Sequence, residues 1–151
     1  MHKGFALALG LLGTLPALAD SEGARLYATH CVACHQPDAV GAPGIAPPLA
    51  GVLGKRVASE DGRNYVVRVP LTGMVGAITV DGVRYSGNMP AFPTLGDGEI
   101  AAVLTHILGA YNGIGDLAWL TPEFVATVRK AGGTSNETHK IRSRVAATTG
   151  G

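Results

Sequence analysis

Apolar residues recur along this chain at several spacings, and each spacing predicts a different element. From Asp97 to Ala110, Ile100, Val103, Leu104, Ile107 and Leu108 fall at the three- and four-residue intervals of a helix with one packed face. Ala77 to Tyr85 alternates instead, in two short runs around Asp81-Gly82, which predicts a tight β-hairpin. Phe5 to Leu12 is apolar apart from glycine, with Lys3 before it and Ala17-Leu18-Ala19 after it. That order of basic start, apolar run and small-residue site predicts an export leader over residues 1–19, cleaved after Ala19. A membrane anchor is the poorer reading, because a span needs roughly 20 apolar residues and this run is broken at Pro16.

Local signals fill in the rest. Ser21 reads as an N-cap for a helix from Glu22 to His30, with the acid in the first turn where the helix dipole favours it. Residues 36–55 are rich in Pro, Gly and Ala and read as an irregular loop. Thr121-Pro122-Glu123 starts a short helix over Phe124 to Lys130, closed by Gly132-Gly133. Trp119, just before it, reads as a packing anchor for that helix. Beyond Gly133 the small and polar residues read as a disordered tail. The resulting division is a leader (1–19), one domain (20–112), an extension with a short helix (113–132) and a tail (133–151).

Composition agrees with a single domain: 151 residues, 46% hydrophobic and 15% charged. Without Lys3 the 12 Lys and Arg fall to 11, matching the 11 Asp and Glu. The distribution is uneven, since Asp20 to Val128 is acidic overall, whereas Arg129, Lys130, Lys140, Arg142 and Arg144 face only Glu137 in the C-terminal stretch. An acidic body and a basic tail without interleaved aromatics exclude a nucleic-acid binder.

Two cysteines in an exported chain would ordinarily suggest a disulfide. Their context argues otherwise. Cys31-Val32-Ala33-Cys34-His35 is C-x-x-C-H, the attachment pattern for a c-type haem. Two thiols three residues apart on a helical turn can reach two vinyl groups on one porphyrin edge, and the next residue can bring an imidazole to the iron. A thioredoxin-like pair would want a βαβ surrounding, and a zinc site would want further ligands; the sequence offers neither. Candidates for a second axial ligand are Met74, Met89, His30, His106 and His139. His30 is too near His35 in sequence to reach the far haem face, His106 lies in a predicted helix, and His139 is expected to be solvated in the tail. Met74, in a glycine-rich run, reads as apolar packing. Met89 lies in Tyr85-Ser86-Gly87-Asn88-Met89-Pro90-Ala91-Phe92, an extended loop before the last long helix, and is the expected ligand.

With its C-x-x-C-H pentad and the Gly87-x-Met89-Pro90-x-Phe92 stretch, the chain resembles the single-haem, His/Met-ligated cytochrome c family over most of Asp20 to Asn112. The resemblance implies an all-α cytochrome c fold, with N- and C-terminal helices crossed around a covalent haem, long loops and one small hairpin near 77–85. It implies that Pro47 supplies the carbonyl accepting the Nδ1-H of His35. It implies that Gly23 and Tyr27 meet the later helix, where Leu104 and Ile107 are the expected contacts. The hairpin with the Met89 loop is similar to a branch that accepts electrons from bacterial periplasmic dehydrogenases. The expectation is therefore a periplasmic carrier without enzymatic activity, holding one haem c and its iron through Cys31, Cys34, His35, Pro47 and Met89. Its partners would be a dehydrogenase as donor and an oxidase or reductase as acceptor, with no nucleic acid and no membrane span in the mature form. A tightly bound haem subunit of one dehydrogenase is the close variant. A haem-based peroxidase or gas sensor, in which Met89 leaves the iron, is the rival from another class.

Overall fold

A computed structural model describes residues 17–149, with side chains from Glu22 to Ala147. The leader predicted for residues 1–19 lies almost wholly outside the described residues. Among these residues six α-helices, one 3₁₀ turn and one hairpin follow in order: α1 (Ala17–His30), α2 (Val32–His35), the 3₁₀ turn (Arg56–Ala58), α3 (Glu60–Thr72), β1 (Ile78–Val80), β2 (Val83–Tyr85), α4 (Asp97–Asn112), α5 (Pro122–Ala131) and α6 (Ser135–Thr149). The architecture is mainly helical with one two-stranded antiparallel sheet, as expected.

α1 and α4 cross at the heart of the fold. Gly23 makes this possible: a Cβ there would lie 2.3 Å from the Ala102 carbonyl oxygen and 2.7 Å from the His106 Cβ. Tyr27, one turn on, packs its ring against His106 and Tyr111. These contacts add Ala102, His106 and Tyr111 to the partners expected for Gly23 and Tyr27, while Leu104 and Ile107 line a cavity with Val103. Ala102 and His106 are four apart and so share one helix face, while Val103, Leu104 and Ile107 occupy the neighbouring one. Ser21 falls inside α1 and not at its start, because the helix is already formed at Ala17; alanine and leucine are strong helix formers.

α3 has no clear helical signal in the sequence pattern. Valines at 66, 67 and 69 and Pro70 each disfavour a helix locally. Packing overrides them: Tyr65, Val66, Val67 and Pro70 are buried, and the Ser59 hydroxyl caps the start by accepting from the Gly62 N–H. The segment 36–55 is irregular, as expected. Asn112 ties it to α4, accepting from the Leu53 N–H and donating to the Leu49 and Ile107 carbonyls.

The hairpin pairs Ile78 with Tyr85 and Val80 with Val83, turning at Asp81 and Gly82 with φ of 48° and 79°. α5 begins as expected, with Thr121 accepting from the Phe124 N–H and Pro122 in the first turn. Trp119 packs edge-on against Phe124 and lies under the Arg63 guanidinium, joining α5 to α3.

The expected disordered tail is a helix. α6 starts with a reciprocal cap in which the Thr134 N–H donates to Glu137 Oε2 at 2.7 Å and the Glu137 N–H to Thr134 Oγ1 at 3.3 Å. Thr138, Arg142 and Val145, spaced as one helix face, are buried against the body. His139 correspondingly donates from Nε2 to the Ala77 carbonyl at 3.0 Å instead of being solvated. A short polar helix of this kind is stabilised by tertiary packing more than by its own propensity, which composition alone does not report.

Candidate haem site

The C-x-x-C-H pentad spans the junction of α1 and α2. Cys31 N–H bonds back to the Tyr27 carbonyl and His35 N–H to the Cys31 carbonyl, so the helical path continues through the motif. Cys31 and Cys34 are free thiols, not a disulfide, and both border one cavity together with His35. Burial, then the neighbouring Cys34, push the Cys31 thiol up to about 11. That is the reverse of a reactive redox pair, whose leading cysteine is held low so that the thiolate forms.

His35 is buried and its Nδ1 lies 3.0 Å from the Pro47 carbonyl oxygen. A carbonyl only accepts, so Nδ1 carries the proton and the neutral ring leaves Nε2 with its lone pair. Burial holds the imidazole below its ordinary pKa, and the Pro47 bond opposes this without cancelling it. The neutral ring is the ligand-competent form, and the Pro47 bond fixes both tautomer and orientation.

Both methionine candidates line the same cavity. Met74 and Met89 face each other across an isolated antiparallel bridge, each N–H bonded to the other's carbonyl at 2.9 Å. Directly opposed residues of such a pair project to the same side. Met74 is buried and its sulfur accepts from the Tyr65 hydroxyl at 3.6 Å; Met89 is only partly buried. Gly73 permits the close passage: its φ is 70°, and a Cβ would meet the Met89 carbonyl oxygen at 2.6 Å. His30 packs its ring on Phe92 at the cavity rim, and His106 is occupied with Tyr27 and Tyr111.

The remaining walls are largely apolar. Ile78, Val80 and Tyr85 bring the hairpin into the lining, and Leu49, Val52 and Leu53 bring in the irregular loop. A large flat apolar cofactor held by two thiols and an imidazole fits this lining, and it supplies the core on which a long loop can pack. Sequence reasoning missed Arg56, Tyr65 and Arg142, which also border the cavity. For Arg142 a signal existed: Thr138, Ile141, Arg142 and Val145 recur at helical spacing behind the Thr134-x-x-Glu137 capping box. Among the described residues no helix is long and apolar enough to cross a membrane.

Comparison with known proteins adds independent findings. Residues 18–107 match the family described as cytochrome c oxidase, cbb3-type, subunit III. One cytochrome c-552 of Thermus thermophilus is 44% identical over 124 residues, covering 82% of each chain. A second cytochrome c-552 from the same species is 42% identical over 111 residues, covering 74% of this chain and 84% of its own.

Proposed function

The chain belongs to the c-type cytochrome family, as an electron-transfer protein of haem c and iron, and we propose that it is an exported carrier of single electrons on one covalent haem. In this reading Cys31 and Cys34 would hold the porphyrin covalently, and His35 Nε2 and the Met89 sulfur would ligate its iron. Bound haem supplies an iron that gains and loses one electron, and methionine ligation raises its reduction potential. The observation that carries the reading is the His35 ring. It is buried, neutral and locked by Pro47, and it borders one apolar cavity with both thiols and Met89.

The chain's own residues do the rest. Pro47 holds the imidazole in one orientation, which keeps the ligand set from rearranging between oxidation states. The bridge to Met74 restrains the Met89 backbone on both sides of the sulfur-bearing residue. Leu104, Ile107 and the hairpin's Ile78 and Val80 line the cavity with apolar side chains that would keep water off a bound ring. With His35 and Met89 both committed to the iron, no position would be left for substrate, so the reading is of a carrier and not an enzyme.

The proposed partners are a periplasmic dehydrogenase as donor and an oxidase or reductase as acceptor. Free diffusion is favoured over a permanent subunit role, because the features an added interface would use are spent inside the fold. Ile78, Val80 and Tyr85 of the hairpin line the cavity, and α6 packs on α3. Export rests on the leader pattern of residues 1–19.

Visible spectra of the protein expressed with a haem-attachment system, before and after denaturation, test the reading, followed by the same scan of Met89→Ala. Colour that stays with the denatured chain, and a ferric sulfur-to-iron charge-transfer band lost in the variant, support covalent haem with His35/Met89 ligation. An unchanged band moves the ligand to Met74. Absence of covalent haem overturns the reading, and carbon monoxide binding at neutral pH would favour the sensor or peroxidase rival.

A further inference from the structure

One short segment, residues 41–47, is bonded both to the element that carries His35 and to the loop that carries Met89. At its ends, the Gly41 N–H donates to the His35 carbonyl at 3.0 Å, and the Pro47 carbonyl lies 3.0 Å from His35 Nδ1. At its tip, the Gly44 carbonyl accepts from the Ser86 N–H at 3.2 Å, and the Ile45 carbonyl presses on Gly87, two residues before Met89. Between ends and tip the segment is closed on itself: Ala42 and Ala46 form an antiparallel bridge, each N–H bonded to the other's carbonyl at 2.9 and 3.0 Å.

Two of the glycines here are needed for different reasons. Gly44 has a φ of 74°, and a Cβ there would meet nothing within 4 Å, so the turn alone calls for glycine. Gly87 is the opposite case. Its φ lies outside the left-handed region, so its own backbone would accept any residue, yet a Cβ there would lie 2.0 Å from the Ile45 carbonyl oxygen. What requires glycine at 87 is the passage of the 41–47 segment. Gly41 is as tightly placed at the other end, where a Cβ would lie 2.6 Å from the Pro47 carbonyl oxygen that faces His35. These are backbone against backbone, so no change of rotamer relieves them, and close packing passes a displacement onward.

We propose that residues 41–47 are a strap coupling the two axial-ligand elements, and that Gly87 is the positioning residue that lets the strap close on the Met89 loop. The inference rests on the haem reading and adds to it that His35 and Met89 are not held independently. A methyl group at 87 parts the tip from the Met89 loop, which then keeps only its bridge to Met74. A methyl group at 41 moves the Pro47 carbonyl, and the strap carries that movement to the Met89 side.

The test uses the haem-loaded protein and reads two signatures of methionine ligation: the ferric sulfur-to-iron charge-transfer band and the affinity for cyanide, which must displace the sulfur. Gly87→Ala is expected to weaken the band and to raise cyanide affinity at least about tenfold. Gly41→Ala is expected to act in the same direction from the His35 side. The double variant should change affinity by less than the product of the two single effects, because one strap is released only once. Gly23→Ala, which strains the α1–α4 crossing instead, is the control for general loss of stability and should leave both signatures unchanged below its melting temperature. Gly44→Ala strains the tip without a steric contact and is expected to weaken the band, which keeps the test open should Gly87→Ala fail to fold. Parental band and cyanide affinity in folded Gly87→Ala or Gly44→Ala would overturn the positioning role, and single effects that multiply in the double variant would overturn the strap. A parent without covalent haem, or an unchanged band in Met89→Ala, would instead overturn the reading beneath it.

Discussion

Gly23 and Ala102 meet where α1 crosses α4, at a distance that leaves no room for a side chain on the first: a Cβ at 23 would sit 2.3 Å from the Ala102 carbonyl oxygen. Because the obstacle is backbone, the helices themselves must separate to admit a methyl group. Gly23→Ala gains helix propensity worth up to about 1 kcal/mol and loses more through overpacking, at about 1–3 kcal/mol. The net expectation is a lower melting temperature, which thermal unfolding of the haem-loaded protein measures. A variant that melts higher than the parent would show that the crossing yields.

Asn112 holds three backbone groups at once, bridging the end of α4 to the loop at Leu49 and Leu53. Asn112→Ala leaves those groups without their partner in a half-buried position. The expected loss is about 1–3 kcal/mol for groups left unsatisfied. Denaturant unfolding reads the loss, and increased hydrogen exchange should centre on the loop around Leu53.

Thr138 is fully buried, and its hydroxyl lies 2.6 Å from that of Thr72, joining α6 to α3. Thr138→Val keeps the shape and removes the hydroxyl. Thr72 still donates to the Arg68 carbonyl, so the expected cost is modest, about 1 kcal/mol. The same variant should increase protease sensitivity near Ser135 before it affects the rest of the chain.

Glu137 accepts from both the N–H and the hydroxyl of Thr134 at the start of α6, and these bonds hold its carboxyl below the usual glutamate pKa. A carboxylate with a lowered folded-state pKa adds stability above its unfolded value, near about 4.3, and that stability is lost as pH falls through the lower folded value. Glu137→Gln should therefore differ from the parent in α6 protection at neutral pH and converge with it in acid. A constant difference between pH 7 and pH 3 would refute the assignment to the carboxylate.

Much of this molecule is readable from its residues, and the unreadable parts share a cause. The Cys31–His35 motif, the hairpin at Asp81-Gly82, the Thr121 cap and the α4 periodicity are local signals, and each appears in the structure where the local rule puts it. The Pro47 acceptor, implied by family resemblance, also lies within hydrogen-bond distance of His35. What failed depended on neighbours distant in sequence. α3 carries a proline and β-branched residues that only burial against other elements can override. The α4 periodicity fixed a buried face without saying which half of it meets α1 and which meets the cavity. The five basic residues of the C-terminal stretch carry no local sign of what they pair with. Two of them are engaged: Arg142 enters the cavity, and Arg129 pairs with Asp97 at 2.7 Å and donates to the Leu95 carbonyl. α6 is different, because its capping box and its helical spacing are both local features of the residues.

The crossing of α1 and α4 also has a consequence in time. A chain made from its N-terminus presents Cys31, Cys34 and His35 well before α4 exists, and α1 cannot bury its packing face until α4 arrives. Throughout that interval the two thiols lie on a segment with no cavity yet built over them. On the proposed reading, that order would leave the motif open for joining thiol to porphyrin before α4 closes over it, so that the finished fold need not reopen to admit a ring.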